Sequence, residues 1–389
     1  MKRSALVAAA LISICASTTG AAQVPGVPPY QGVYEPQGVD ERGQWMMADE
    51  RERRLRDSNL LIRDEALNDY VKGVLCRAVG DDRCRNVRIY ILRVPLPNAL
   101  MSANGTLVLW SGFLLRMKNE AELAAILGHE FAHFERRHTL NGFRRQRSTN
   151  DVIQWLALLG AMTRTPVYVD LLVGDLYRFT RDQERESDLL SLGYLYRSRY
   201  RPMAAAEMFD RLMDEADASS LGRGQRIHRY DSLAFLDDHP TTLERATYLR
   251  ALAEPELPDR IDGEEAYAAA LRPWMAGFLE DQVKLNDFGG SEYLLTQLAH
   301  GHWTAELLYW RGELYRMRGN PRDLVNAADF YRQSIQLDAN RAEAFRGLGL
   351  ALMRAQAPEE GRQALARYLA LKPDASDAPM IRMLAGQGS

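Results

Sequence analysis

Residues 120–137 read EAELAAILGHEFAHFERR. Apolar residues recur in this stretch at intervals of three and four, which predicts an amphipathic helix. On such a helix His129 and His133 lie on one face about 6 Å apart, so both imidazoles can bind one metal ion while Glu130 lies beside it. The alternative is a pair of surface histidines. The helical placement, together with the export signal at the start of the chain, favours the metal site.

A catalytic zinc ion needs a third protein ligand and an open position for water. His138 is the nearest candidate in sequence. On a continuing helix, however, it would lie about half a turn away from His129, on the opposite side. No glycine follows His133 to turn the chain back. We therefore predict a structural role for His138.

A second predicted helical region, residues 171–196, contains Glu184 and Asp188 four residues apart. The two carboxylates share one helix face, whereas Glu186 points away from it. The carboxylate nearer the metal can serve as the ligand, and the other can hydrogen-bond to the far nitrogen of a ligand histidine. A solvated charged face is the alternative, and the need for a third ligand argues against it.

These motifs resemble the M48 peptidases, which combine HExxH with a downstream ExxxD helix. The resemblance covers roughly residues 59–252, and Asn98-Ala99, Gly112, residues 121–130 and residues 181–193 carry it. Ser187 stands where the family usually has alanine.

The resemblance implies a mainly α fold with a small β-sheet, an α+β zincin-like domain. It makes His129, His133 and Glu184 the ligands of one Zn²⁺ per chain, with Glu130 as the catalytic base. Asn98, by the same resemblance, could pair with an extended substrate as an added strand, although a turn asparagine is an equal alternative.

Outside these motifs the sequence predicts a linear order of segments. A signal peptide at residues 1–22 has Lys2 and Arg3 followed by an apolar run, and an extended arm at residues 23–50 is rich in Pro, Gly and Tyr. The peptidase domain is then predicted at residues 51–252. It contains a helix within 55–79 and strands at 87–92 and 105–110, and Cys76 and Cys84 are expected to form a disulfide.

A linker is predicted at residues 253–263, where Pro255, Pro258 and several acidic residues occur, so the peptidase domain is expected to fold without the rest. Beyond it, residues 264–389 are predicted to form α-helical tetratricopeptide-like repeats. The stretches 305–340 and 342–374 fit the repeat period, and residues 273–299 are a possible third helix pair. A generic helical bundle is the alternative.

Composition limits the partners. The formal net charge is -3, so the sequence gives no sign of nucleic-acid binding. No segment is predicted to cross a membrane; the apolar stretch 152–162 is too short, and is interpreted as a buried helix, a lid or a peripheral membrane contact. The leader predicts a periplasmic protein, as does resemblance to the repeat-bearing periplasmic M48 branch.

Two functions are compatible with the whole pattern. The favoured one is a zinc metalloendopeptidase acting on unfolded or misassembled envelope proteins, with the repeats docking a protein partner. The alternative is a periplasmic chaperone or interaction protein with a latent metal site. Glu130 discriminates between them, because a structural zinc site has no need of a glutamate at an open position.

His239 precedes Pro240 near the end of the predicted peptidase domain. Three interpretations remain open: a fourth metal ligand that displaces water and keeps the enzyme latent, a donor to the oxyanion, or a loop histidine.

Overall fold

The computed structural model describes residues 26–32, 35–142, 179–227, 242–253 and 258–387. Most of them are helical, and they include one three-stranded sheet, which confirms the predicted fold class. The N-terminal part comprises α1 (Gly38–Asp57), α2 (Glu65–Val79), α3 (Asp81–Cys84), β1 (Arg88–Leu92), β2 (Ala99–Met101), β3 (Thr106–Trp110), α4 (Ser111–Arg116), α5 (Glu120–Glu135), α6 (Arg181–Arg197), α7 (Ala204–Gly222) and α8 (Thr242–Ala253).

The C-terminal part consists of paired helices: α9 (Glu264–Leu271), α10 (Met275–Lys284), α11 (Phe288–Ala299), α12 (Ala305–Arg318), α13 (Pro321–Leu337), α14 (Ala342–Arg354), α15 (Pro358–Leu371) and α16 (Ala378–Leu384). The signal peptide and the apolar stretch 152–162 lie outside the described residues. Among the described helices, none combines the length and the apolar character needed to cross a membrane.

The sheet has the strand order β1-β3-β2. β1 is parallel to β3, and β2 is antiparallel to β3 with Ala99 opposite Leu109 and Met101 opposite Leu107. All five residues of β3 are buried, as expected for a central strand. The sequence predicted β1 and β3 but not the short β2, which forms the edge of the sheet among the described residues.

The predicted extended arm requires correction, because its second half, from Gly38 onward, belongs to α1. The helix is held to the sheet by a buried carboxylate, Glu52, which accepts hydrogen bonds from Arg88 at 2.7 Å, Tyr90 at 2.7 Å and Thr106 at 2.9 Å. The buried face of α1 also carries Glu41 and Gln44. A helix whose buried face is this polar gives no apolar period, so the pattern could not reveal it.

The predicted linker also requires correction, since its described part is packed against the N-terminal part of the chain. Ile261 bridges to Tyr200, and the carbonyl of Asp262 accepts a hydrogen bond of 3.0 Å from the amide of Ala121 in α5. Tyr267 in α9 is buried and donates its hydroxyl hydrogen to the carbonyl of Leu114. One hydrophobic core therefore continues from Ile62 to Leu314 across the predicted boundary.

The last helices of the C-terminal part stack around smaller cores of their own. Tyr331 of α13 is fully buried between Gly312 of α12 and Gly347 of α14. A Cβ atom at Gly312 or Gly347 would come within 2.6 or 2.4 Å of its ring. The two glycines thus allow three successive helices to pack closely.

Cys76, near the end of α2, and Cys84, in α3, are joined by a disulfide with an S–S distance of 2.01 Å. The bond closes the polar turn that contains Gly80, whose φ of 104° suits glycine. It fixes the chain just before it enters β1.

Candidate metal centre

The helix that carries the histidines, α5, begins at a capped end and runs through the core. The Asn119 side chain accepts a hydrogen bond of 3.0 Å from the amide of Glu122, which satisfies one of the free amides of the first turn. Every residue from Glu120 to His133 is buried. The histidines are therefore presented inside the protein rather than on a solvated helix face.

Helix α6 packs tightly against α5 because a glycine lies at their contact. A Cβ at Gly128 would meet Ser191 Oγ at 3.0 Å and the Tyr194 ring at 3.3 Å, and Ser191 donates a hydrogen bond of 2.7 Å to the Ala125 carbonyl. A capping box formed by Thr180 and Gln183 begins α6, one turn before the predicted ligand Glu184. The predicted pairing of these two helices is what the structure shows.

Three buried side chains converge between α5 and α6. His129 Nε2 and His133 Nε2 are 3.0 Å apart; His129 Nε2 lies 3.4 Å from Glu184 Oε2, and His133 Nε2 lies 3.4 Å from Glu184 Oε1. The three residues form one of the groups in the described structure that could hold a metal ion. The other, Cys76 and Cys84 with Asp81, is occupied by the disulfide.

The spacing of the donor atoms fits zinc. Two ligands at zinc distances of about 2.0–2.1 Å in a tetrahedral arrangement are about 3.3–3.4 Å apart. The two separations to Glu184 have this value, and the separation between the histidines is slightly shorter. Two imidazoles and one carboxylate are also a donor set found in catalytic zinc sites.

The outer nitrogen of His129 is held by Asp188, as the sequence predicts. His129 Nδ1 lies 2.8 Å from Asp188 Oδ1, and both groups are buried. Burial and the nearby Arg245 act to lower the pKa of His129, but the pairing with Asp188 and the contact with Glu184 outweigh them and raise it to about 9. In the metal-free protein this imidazole therefore holds its proton at neutral pH.

Sequence reasoning noted Arg245 only as recurring after His239-Pro240 in the resembled family, and it assigned no role to Tyr248; both reach the same carboxylate from α8. Arg245 binds Asp188 in a bidentate manner at 2.7 and 2.8 Å, and the Tyr248 hydroxyl donates a further hydrogen bond to it. Burial acts to raise the pKa of Asp188, yet Arg245 and His129 hold it well below its usual range. The spacing of Arg245 and Tyr248, three residues apart on one helix face, was the available signal.

His138 is not on the far side of α5, as a continuing helix would require. The helix ends at Glu135, and Arg137 has a φ of 55°, which turns the chain back. His138 Nδ1 then lies 3.0 Å from His133 Nδ1, and His138 Nε2 lies 3.1 Å from Glu186 Oε2. Glu186 does point away from the three donors, as predicted, but it contacts this second histidine.

The predicted base and the predicted substrate contact are both buried. Glu130 follows His129 on α5 and is buried. Asn98 lies just before β2, is also buried, and accepts a hydrogen bond of 2.9 Å from the Trp110 amide through its carbonyl. Its side-chain amide nitrogen has no hydrogen-bond partner within the described residues. His239 lies outside those residues, so its three interpretations stay predictions.

A cavity of about 150 Å³ lies next to the end of α5. It is lined on one side by His133, Phe134 and Leu140, and on the other by Tyr30 and Trp45, from the N-terminal segment and α1. Arg83 holds that segment by donating a hydrogen bond to the Pro28 carbonyl. The N-terminal segment thus forms one wall beside the candidate centre.

Comparison with known proteins agrees with this geometry. Residues 62–253 match the model of peptidase family M48. The chain is 29% identical over 192 residues to the beta-barrel assembly-enhancing protease of Escherichia coli K12, a match that covers 46% of this chain and 39% of that protein.

It is 28% identical over 178 residues to the mitochondrial metalloendopeptidase OMA1 of Schizosaccharomyces pombe (45% of this chain, 50% of that protein). It is also 28% identical over 173 residues to the metalloprotease LoiP of Escherichia coli K12 (42% and 61%). The matched region therefore spans less than two thirds of each relative.

Proposed function

Residues 62–253 of this chain are an M48 peptidase domain, and on this basis we propose that the protein is a zinc metalloendopeptidase with His129, His133 and Glu184 as metal ligands and Glu130 as the general base. One observation carries the proposal: on two packed helices, two buried imidazole nitrogens lie 3.0 Å apart and each lies 3.4 Å from an oxygen of the buried Glu184 carboxylate, with Glu130 next to His129 in the chain.

Zinc in this position would lower the pKa of a water molecule and polarise the scissile carbonyl. Glu130 then takes the proton of the attacking water and delivers it to the leaving amine, so no nucleophilic side chain is required. Asp188 and Arg245 keep His129 oriented, since the buried carboxylate is fixed by two hydrogen bonds from the guanidinium.

An extended substrate would pair with the free edge of β2. Among the described residues β2 has a strand neighbour on one side only, and the amide nitrogen of Asn98 is a donor without a partner there. Asn98 would donate to a substrate carbonyl. The cavity between His133 and Trp45 would receive a substrate side chain next to the cleavage site.

The proposed setting is the periplasm, with unfolded or misassembled envelope proteins as substrates. The signal peptide predicted at residues 1–22 supports export, and the relatives include a protease named for β-barrel assembly. We further propose that the repeat helices dock a protein partner, because stacked helical repeats commonly present binding surfaces.

The test compares wild type with Glu130→Gln on an unfolded protein such as casein, with bound zinc measured in both. The variant should keep one zinc per chain and lose cleavage by a factor of about 10²–10⁴, because the ligands remain and the base is lost. Asp182→Asn, the same loss of a carboxylate at an exposed position of α6 outside the donor set, serves as the control. Cleavage by Glu130→Gln within a few-fold of wild type would refute the assigned role.

A further inference from the structure

The two candidate ligand histidines have different outer partners. His129 is held by the buried pair of Asp188 and Arg245, whereas His133 faces another histidine, His138. Nothing in the HExxH or ExxxD pattern requires His138. Its position next to a ligand therefore needs a separate explanation.

The contacts of His138 form a chain that leads from His133 to the protein surface. His133 Nδ1 lies 3.0 Å from His138 Nδ1, and His138 Nε2 lies 3.1 Å from Glu186 Oε2. The other oxygen of Glu186, Oε1, forms an ion pair with Arg136, whose Nε lies 2.9 Å away. His133 and His138 are almost fully buried, while the Glu186 side chain is 42% exposed.

Proton placement along this chain has a single consistent solution. Metal binding needs a lone pair on His133 Nε2, the atom that faces His129 and Glu184, so the proton of neutral His133 must be on Nδ1. His138 Nδ1 must then accept that proton's hydrogen bond. Its own proton is consequently on Nε2, where it is donated to the Glu186 carboxylate.

Neighbouring groups hold His138 and His133 in place. The Ser187 hydroxyl lies 3.3 Å from His138 Nδ1, and the Phe179 ring stacks on the His133 ring with centroids 3.9 Å apart. Ser187 is fully buried. Neither imidazole can therefore rotate to exchange its two nitrogens without losing these contacts.

We propose that His138 is a positioning residue for the metal centre: it holds His133 in the tautomer that binds metal, and Glu186 in turn fixes the tautomer of His138. The inference rests on the proposed function, because it takes His133 as a ligand. Partners of this kind typically change metal affinity by 10–100-fold when they are removed.

The experiment measures zinc affinity by competition with a chelator in the purified protein, independently of proteolysis. His138→Leu removes the acceptor and should weaken zinc binding about 10–100-fold. His138→Asn places an amide oxygen close to the position of Nδ1 and should restore most of the affinity. Glu186→Ala should weaken binding by a smaller factor, since water can reach the exposed end of the chain.

Two controls separate positioning from general loss of structure. Asp182→Ala removes an exposed carboxylate from the same helix and should leave zinc affinity unchanged. Thermal unfolding of each metal-free variant shows whether it folds. A folded His138→Leu protein with wild-type zinc affinity overturns the proposal, and so does a folded His138→Asn protein as weak as His138→Leu. A wild-type protein that binds no zinc would instead refute the proposed function.

Discussion

Removing everything after Ala253 should prevent the peptidase part from folding. The composition of residues 253–263 predicts a linker, and a linker would make the truncation harmless. The structure instead places side chains from α9 and α10 in the same hydrophobic core as α5, the helix that carries His129 and His133. Residues 23–253 alone would leave that core open.

The loss in the free energy of unfolding follows from the buried side chains that the truncation removes. Five of them are at most 3% exposed: Tyr267, Leu271, Phe278, Leu279 and Val283. Burial of such a side chain stabilises a protein by about 1.5–3 kcal/mol, so the five together contribute roughly 8–15 kcal/mol. This equals the whole stability of a typical domain, about 5–15 kcal/mol.

The test uses two truncated proteins, residues 23–253 and residues 23–338. For each, the soluble yield, thermal unfolding by circular dichroism and bound zinc are measured. The longer variant ends after α13 and retains every buried residue of the large core, so it should unfold cooperatively and hold zinc. The shorter one should be insoluble or should show no cooperative transition. Cooperative unfolding of residues 23–253 with one bound zinc would refute the reasoning.

Four further predictions concern the site and the C-terminal helices. Arg245→Met should destabilise the protein by about 3–5 kcal/mol in chemical denaturation, because it removes the guanidinium that pairs with the buried Asp188 carboxylate. Arg250→Met is the control: it breaks only a half-exposed ion pair on the same helix and should cost under about 1 kcal/mol. Zinc affinity should fall about tenfold per unit as pH drops below about 9, since zinc must displace the His129 proton; a pH-independent affinity between pH 6 and 8 would contradict this. In the metal-free protein the stability from that raised pKa is full below pH 6.5 and is lost as pH rises through 9, which a pH series of unfolding midpoints checks. Gly347→Val should destabilise the C-terminal helices by about 1–3 kcal/mol while zinc content stays unchanged, because a Cβ added at Gly347 comes within 2.4 Å of the Tyr331 ring. Gly43→Ala is the control, since a Cβ added there meets nothing within 4 Å.

Local patterns were sufficient to predict the elements that carry the candidate metal donors. The four-residue spacing of His129 and His133 and that of Glu184 and Asp188 each define a helix face, and such spacing is visible in the sequence. Pairing the two helices needed only the chemical requirement for a third ligand. The structure shows these helices packed through Gly128, with the donors between them.

Features that depend on a turn or on distant partners could not be predicted. His138 returns to His133 because the chain adopts a positive φ at Arg137, a residue type that gives no sign of it. Helix α1 buries Glu52 because Arg88 and Thr106 lie 36 and 54 residues further along the chain. The supposed linker resembles a loop in composition, yet its backbone pairs with Tyr200 and Ala121.

The continuous core has a consequence for how a substrate would be chosen. Helix α11 lies directly on α7, where Gly289 approaches the Ala218 carbonyl too closely for any side chain, and α12 follows with Tyr315 edge-on to Phe288 at 4.9 Å. The first C-terminal helices thus pack directly onto the part of the chain that holds the candidate metal donors. If a substrate protein binds to these helices, the distance from its binding surface to the candidate metal centre is the same each time. The cleaved bond would then be selected by its distance along the bound chain rather than by its sequence.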